Sequence, residues 1–222
     1  MTDSTALTLA GGSRASAPGA GEGKRAMAKA ANRAAILDAG RRVFAKLGFD
    51  VTTVRDIIRE TDLAAGTFYN YFKSKEDVFE AIAGDSARRF GERLQDVRTQ
   101  ATDFETYILT AYQAYFEFLA EENADGIKKG VPHMALIGVR VDTPELKAVF
   151  AEIRTDLDHV LGDVLVAHLD TEYLTAAAVG IAREMGDHML ARQPMDPVGT
   201  AQFASNLLLS GIRGFALATP GQ

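Results

Sequence analysis

The chain has 222 residues, of which 47% are apolar and 24% charged, a composition typical of a soluble globular protein with a substantial core. It contains no cysteine, which excludes disulfide frameworks, thiolate metal sites and cysteine nucleophiles. Its first residues lack the features of a secretory signal, and no apolar run approaches the roughly 20 residues that a membrane helix needs. We therefore expect a cytoplasmic protein with no membrane partner.

Charge is distributed unevenly along the chain, whose net charge is −6. Residues 24–75 hold eleven Lys and Arg against five Asp and Glu, and the remainder holds 13 basic and 25 acidic residues. Attraction to phosphates depends on local charge, so the basic segment is what a nucleic-acid-binding module would carry. Ordinary solvated helix faces are an equally simple explanation of charge alone.

The N-terminal region divides into a tail and a first helix. Residues 1–28 are rich in Gly, Ala and Ser with few large apolar side chains, which predicts a disordered tail. From residue 29 onward the spacing is helical, with a stripe at i, i+4, i+7 and i+11 formed by Ile36, Gly40, Val43 and Leu47. Gly48 is expected to end this helix.

Two short helices and a long one follow. Thr53 and Asp56 match a capping box at the start of the second helix. A tight turn at 60–63 leads to a short third helix at 64–72, in which Ala64 occupies the capping position. Ser74, three residues before Asp77, is expected to cap a longer fourth helix that runs toward residue 97.

The remainder of the sequence is also helical in pattern and contains no convincing strand. Turn chemistry interrupts it at 125–130, 142–144, near 170 and at 193–197. The sequence therefore predicts an all-α fold with a helix-turn-helix domain at 29–78 and a larger helical domain at 79–222.

Two segments carry a specific family resemblance: LGFDVTTVRDI at 47–57 and GTFYNYFKSKEDVF at 66–79. Together they resemble the DNA-binding domain of the TetR (tetracycline-repressor-like) family of bacterial transcriptional regulators. The resemblance implies a homodimer that binds double-stranded operator DNA through its third helix. It also implies that the C-terminal domain binds a small-molecule effector and forms the dimer.

Candidate DNA contacts follow from the helix starts and from the exposed face of the third helix. Helix N-termini and lysines favour phosphates, whereas small and polar residues can approach base edges. The resemblance implies that Tyr69 and Tyr71 point outward while Phe68 and Phe72 pack inward; the alternative is that all four are core. The predicted DNA-binding residues are Thr53, Ala65, Gly66, Thr67, Tyr69, Asn70, Tyr71, Lys73 and Lys75.

Two further groups of candidates lie in the C-terminal domain. An aromatic helix suggests an effector pocket, although a plain aromatic core is an equal alternative; the candidates are Phe104, Tyr107, Ile108, Tyr112, Phe116, His133 and Met134. Small and apolar residues on the last two helices suggest a dimer interface, with packing inside one chain as the alternative. The interface candidates are Ala177, Gly180, Ile181, Ala204, Leu207, Leu208, Gly211 and Phe215.

These patterns predict a ligand-responsive repressor that binds a near-palindromic operator and is released by a small, hydrophobic effector. An activator or a ligand-independent regulator with the same fold is the alternative. The four histidines do not form a ligand pair, so no metal or other cofactor is expected. An enzyme is a remote alternative, because no phosphate loop, metal-ligand pair or nucleophile-base pair is visible.

Overall fold

A computed structural model describes the backbone of residues 20–128, 143–166 and 169–218, and the side chains of 23–124, 143–159 and 169–214. These parts of the chain contain eight helices and no strand, which confirms the all-α prediction. No helix among them is long and apolar enough to cross a membrane. The helices are α1 (Ala20–Leu47), α2 (Val54–Arg59), α3 (Ala65–Tyr69), α4 (Lys75–Gln100), α5 (Phe104–Lys128), α6 (Pro144–Val166), α7 (Thr171–Leu190) and α8 (Pro197–Ala218).

An N-terminal head is formed by α1, α2, α3 and the first turns of α4 around one apolar core. Gly40 allows α1 to approach α4, because a Cβ at that position would lie only 2.7 Å from Cγ1 of Val78. The head core consists of Ile36, Leu37, Ala39, Val43, Phe44, Ile57, Phe68, Phe72, Val78, Phe79 and Ile82.

The two ends of α1 can be compared with the predicted end of the tail and the predicted end of the first helix. The helix begins at Ala20, so the predicted disordered tail at 1–28 is wrong for residues 20–28, whose Ala, Lys, Arg and Met favour helix. Residues 1–19 lie outside the described part of the chain. Gly48 has a φ of +83° and donates its N–H to the carbonyl of Phe44 at 2.8 Å, so the predicted C-terminal glycine is confirmed.

The C-terminal domain is built around α5, which packs most extensively against α8 and also contacts α4, α6 and α7. Its aromatic side chains, including Tyr107, Tyr112 and Phe116, are buried in the core of this domain. Helix α4 belongs to both domains, since its buried residues run from Val78 in the head to Val97 beside α5. A continuous helix therefore crosses the predicted domain boundary at 78/79.

Candidate nucleic-acid interface and apolar cavity

The start of α2 is fixed by a complete capping box, as predicted. The Thr53 hydroxyl accepts from the Asp56 backbone N–H at 3.3 Å, and the Asp56 carboxylate accepts from the Thr53 backbone N–H at 2.9 Å. The Thr53 hydroxyl also donates to this carboxylate at 2.6 Å, and these hydrogen bonds lower the pKa of Asp56. Thr53 itself remains exposed at the head surface, where a phosphate could reach it.

Helix α3 is amphipathic despite its length of five residues. Phe68 is 1% exposed, whereas Tyr69 on the other side is 58% exposed. Ala65, Gly66 and Asn70 are also exposed, and Thr67 is half-buried. Open space surrounds Gly66, since a Cβ there would meet nothing within 4 Å. The predicted face of α3 is therefore accessible to a macromolecule.

The start of α3 and the aromatic residues after it were also predicted from the sequence. Ala64 provides no side-chain hydrogen bond at the helix start, as expected for an alanine in the capping position. Tyr71 is half-buried and packs against the head core, so it offers less surface than the outward orientation that the resemblance implied. Phe72 is 5% exposed and packs inward as expected.

The start of α4 follows α3 in the chain. Ser74 caps it by accepting from the Asp77 N–H at 3.1 Å, and the Asp77 carboxylate accepts from the Lys73 backbone N–H at 2.8 Å. The hydrogen bond from Lys73 and a second from the Ser74 hydroxyl lower the pKa of Asp77. The Lys73 side chain is exposed, as a phosphate contact requires.

Lys75 has an internal role that the sequence did not reveal. Its Nζ donates to the carbonyl oxygens of Phe49 at 2.8 Å and Asp50 at 2.9 Å, and lies 4.6 Å from the centroid of the Phe49 ring. An ammonium group has three donors, and two of them hold the α1–α2 turn in this structure. The geometry therefore makes Lys75 a strut between that turn and α4.

Two exposed cations on α2 were not among the predicted DNA-binding residues. Arg55 and Arg59 are both exposed, and Arg59 lies 3.9 Å from the Asp56 carboxylate. Arg55 stands two residues after Thr53, at the same end of α2. Its place in the segment LGFDVTTVRDI is the signal that could have identified it. Like Thr53 and Lys73, it is exposed at the surface of the head.

The C-terminal domain contains an apolar cavity between α4, α5, α6 and α7. The cavity has a volume of about 90 Å³, and its apolar wall disfavours water. The side chains around it are Ala83, Ser86, Ala87, Phe90, Leu94, Tyr107, Ile108, Ala111, Tyr112, Tyr115, Leu146, Val149, Phe150, Ile153, Leu157, Ala178, Val179 and Ala182.

The predicted pocket residues agree with this cavity only in part. Tyr107, Ile108 and Tyr112 line it. Phe116 does not, because it is fully buried and stacks on Tyr112 with centroids 6.0 Å apart. Phe104 packs against the core outside the cavity. His133 and Met134 lie outside the described residues. The residues of α6 were missed, although Leu146, Val149, Phe150, Ile153 and Leu157 form a helical stripe in the sequence.

Hydroxyl groups at the cavity wall are engaged with the protein. Tyr112 donates to the carbonyl of Ala178 at 3.1 Å, and Tyr107 donates to the Asp156 carboxylate at 2.8 Å. Burial raises the pKa of Tyr107, Tyr112 and Tyr115 well above the ordinary value, so these phenols are neutral.

The charged groups behind this wall are paired with one another. Arg98 donates to Asp156 at 2.8 Å, and Arg89 donates to Glu122 at 2.7 Å. A wall of apolar and neutral groups backed by compensated charges favours an apolar, uncharged guest.

The predicted dimer residues divide between two faces of α7 and α8. Ala177, Leu207 and Gly211 are exposed, and Gly180 is half-buried with open space around it. Ala204 and Leu208 are buried in the core of their own chain, so their assignment to a dimer interface is wrong.

The remaining interface candidates are less accessible, and two exposed aromatics were missed. Ile181 is half-buried and packs on the core, and the side chain of Phe215 lies outside the described part. Phe203 on α8 is 64% exposed and Tyr173 on α7 is 76% exposed. The exposed apolar row on α8 therefore consists of Phe203, Leu207 and Gly211, at i, i+4 and i+8.

Within the residues whose side chains are described, no three His, Asp or Glu side chains are grouped to hold a metal ion.

The sequence is similar to those of known proteins. Residues 36–82 match the profile of the bacterial regulatory proteins of the tetR family. The fatty acid metabolism regulator protein of Bacillus subtilis is 27% identical over 188 residues, which cover 80% of this chain and 93% of that protein. The HTH-type transcriptional repressor KstR2 of Mycolicibacterium smegmatis is 30% identical over 95 residues, which cover 43% of this chain and 46% of the relative.

Solved structures have the same architecture. The fatty acid degradation regulator FadR of Bacillus halodurans superposes with a TM-score of 0.64 at 22% identity, over 82% of this chain and 96% of its own. FadR of Bacillus subtilis in complex with stearoyl-CoA gives 0.62 at 21% identity, over 80% and 98%. At these identities the likeness shows a shared fold. Residues 36–82, which form the head with its exposed third helix, therefore carry the DNA-binding domain of the bacterial regulatory proteins of the tetR family.

Proposed function

We propose that the protein is a repressor that binds a near-palindromic operator as a homodimer and is released by a small apolar effector. The observation that carries this proposal is the continuity of α4. Its first residues belong to the head and would border the DNA, and Ala83, Ala87 and Phe90 further along it line the apolar cavity. A guest that displaces α4 would therefore also move the head.

On the DNA side, α3 would enter the major groove with Thr67, Tyr69 and Asn70 toward the base edges. Thr53 and Arg55 at one end and Lys73 at the other would contact the backbone phosphates. We assign Lys75 to positioning, since its ammonium group holds the α1–α2 turn.

The dimer would form through α7 and α8. Phe203 and Leu207 expose a large apolar area next to Gly211, where a second helix could approach closely. Ala177 and Gly180 supply a similar small-residue surface on α7. Two copies packed through these faces would form a four-helix interface, which fixes the distance between the two heads and hence the spacing of the operator half-sites.

For the effector we propose the acyl chain of a long-chain fatty acid or its thioester. The apolar wall suits such a chain, and a relative is named for fatty acid metabolism. A protein of the same fold was solved with stearoyl-CoA. Release requires that the effector bind one arrangement of α4 more tightly than the DNA-bound arrangement, because only differential affinity shifts an equilibrium.

The target is chromosomal DNA, so we propose the cytoplasm as the compartment. An activator or a ligand-independent regulator would use the same DNA-binding surface. A promoter-reporter strain with and without the protein separates these possibilities, since a repressor lowers reporter output and an activator raises it.

The central experiment captures genomic fragments on the purified protein and measures operator affinity by fluorescence anisotropy. Stearoyl-CoA, free stearate and coenzyme A are then titrated into the complex. We expect a Kd of about 10⁻⁸ M or tighter for the operator and release by the acylated compounds but not by coenzyme A alone. Asn70→Ala should weaken operator binding by about 1–3 kcal/mol per half-site. Failure to select any specific sequence would refute DNA-binding regulation, and binding insensitive to all three compounds would refute the acyl effector.

A further inference from the structure

The first turns of α1 extend beyond the head. Every described side chain from residue 23 to residue 31 is exposed, and the head core begins at Ile36. Lys24, Arg25 and Lys29 lie in this extension, and none of them has an ion pair with a described residue. Between Ala20 and Leu37 the single acidic residue is Glu22. The extension is therefore basic and uncompensated, in a chain whose net charge is −6.

Three of the cations form a row. Arg25, Lys29 and Arg33 are spaced at i, i+4 and i+8, so they lie on one side of the helix and span about 12 Å at 1.5 Å per residue. The Arg33 guanidinium lies 5.5 Å from the centroid of the Phe72 ring. Phe72 directly precedes Lys73, so this basic row starts beside the α3–α4 turn and runs outward from it.

We propose that the basic row is a second DNA-binding element, which contacts the phosphates of duplex DNA that flanks the half-site read by α3. The charge of the row favours DNA as its binding partner, because cations without acidic partners attract a polyanion. The extension is unsuited to a membrane surface or to a partner helix, since its apolar side chains are alanines and one methionine and give no wide apolar face. The inference rests on the proposed function, because it places the row beside a bound operator.

The inference predicts a specific salt dependence. Each phosphate contact contributes about 0.9 to the slope of log K against log salt concentration. Removing two cations from each chain of a dimer should therefore lower the slope by up to about 4. A loss of at least about tenfold in affinity should accompany it near physiological salt. The effect should require DNA long enough to reach the row.

The test uses the full-length Arg25→Gln/Lys29→Gln variant and a matched control, Arg154→Gln/Arg192→Gln. The control removes the same charge from exposed positions of the C-terminal domain. Operator binding is measured by anisotropy at four salt concentrations, on a duplex with about 10 flanking base pairs per side and on one trimmed to the half-sites. We expect a lower slope and weaker binding for the row variant on the long duplex alone, with wild-type behaviour of the control. Arg25→Lys/Lys29→Arg should restore the slope.

Several outcomes would overturn the inference. Equal slopes for the row variant and the control on the long duplex would show that the row makes no phosphate contact. An equal loss on both duplexes would show that it does not act on flanking DNA. A changed oligomeric state by light scattering would assign the row to a second copy of the chain.

Failure of the proposed function can be distinguished from failure of the row. If the wild type selects no operator, repression fails, and the slope is then measured on random duplex DNA. A lower slope for the row variant there supports the row as a DNA contact, and an unchanged slope overturns it.

Discussion

The head and the C-terminal domain are both helical, yet different interactions hold them in place. In the head, short-range caps at Thr53 and Ser74 set the helix starts, and the strut from Lys75 to Phe49 holds the α1–α2 turn. In the C-terminal domain, ion pairs join residues far apart in sequence, as between Arg98 and Asp156. Short-range caps position the starts of α2 and α4, whereas long-range ion pairs support the wall of the cavity. The first type can be identified in a sequence, and the second cannot.

The largest expected effect comes from breaking the long-range network. Asp156→Ala removes the carboxylate that accepts from both Tyr107 and Arg98. Arg98 is partly exposed and water can solvate it, so we expect a loss of about 2–3 kcal/mol in the free energy of unfolding. Denaturant unfolding followed by circular dichroism measures this loss. Asp158→Ala is the control, because Asp158 is exposed two residues away, and it should change stability by less than about 0.5 kcal/mol.

Breaking the strut in the head gives the next largest effect. Lys75→Met keeps the length of the side chain but removes the donor to the carbonyls of Phe49 and Asp50. We expect a loss of operator affinity of about 10- to 100-fold, typical of a misplaced DNA-contacting element, at an unchanged salt slope. Lys73→Gln is the matched comparison and should lower the slope by about 0.9 for each chain. A lower slope for Lys75→Met would show that Lys75 contacts phosphate.

The head also shows how far sequence reasoning reaches. The capping box and the Gly48 terminus follow from short-range chemistry and were predicted, whereas the inward packing of Phe68 and Phe72 was implied by the family resemblance. The strut was not, because its partners are carbonyl oxygens about 25 residues away and no side-chain pattern marks them. Charge alone suggested a phosphate contact for Lys75. Burial and geometry changed that interpretation.

On α8 the sequence pattern does not identify which side of the helix faces outward. Ala204 and Leu208 were predicted to face a partner but are buried, whereas Phe203 and Leu207, one position earlier, are exposed. A helix that is apolar on two sides has two stripes offset by one residue, and periodicity cannot distinguish core from interface. The same ambiguity affected α5, where Phe116 fills the core while Tyr112 lines the cavity. Only the packing of α4, α6 and α7 around α5 resolves it.

Filling the cavity should have a smaller effect than breaking the strut, and one confined to the response to the effector. Ala111→Leu places a larger side chain into the cavity, whereas Ala148→Leu adds the same atoms at an exposed position on α6. We expect the first variant to bind the operator normally and to need at least about tenfold more stearoyl-CoA for release, worth about 1.4 kcal/mol. The control should respond as the wild type does. Equal responses from both variants would place the effector outside this cavity.

The smallest expected effect is a pH dependence in the caps of the head. The Thr53 hydroxyl and backbone N–H hold the pKa of Asp56 below its ordinary value of 3.8. A carboxyl whose pKa is lower in the folded state stabilises that state above pH 3.8, and the stabilisation is lost as the pH falls through the folded-state pKa. The difference in unfolding free energy between the wild type and Asp56→Asn should therefore shrink from pH 6 to pH 3. Thr53→Val should move the pKa of Asp56 back toward 3.8 in a carbon-detected NMR titration, because it removes the hydroxyl that donates to the carboxylate at 2.6 Å. A pKa of Asp56 that stays where it is in this variant would show that the backbone hydrogen bond alone sets it.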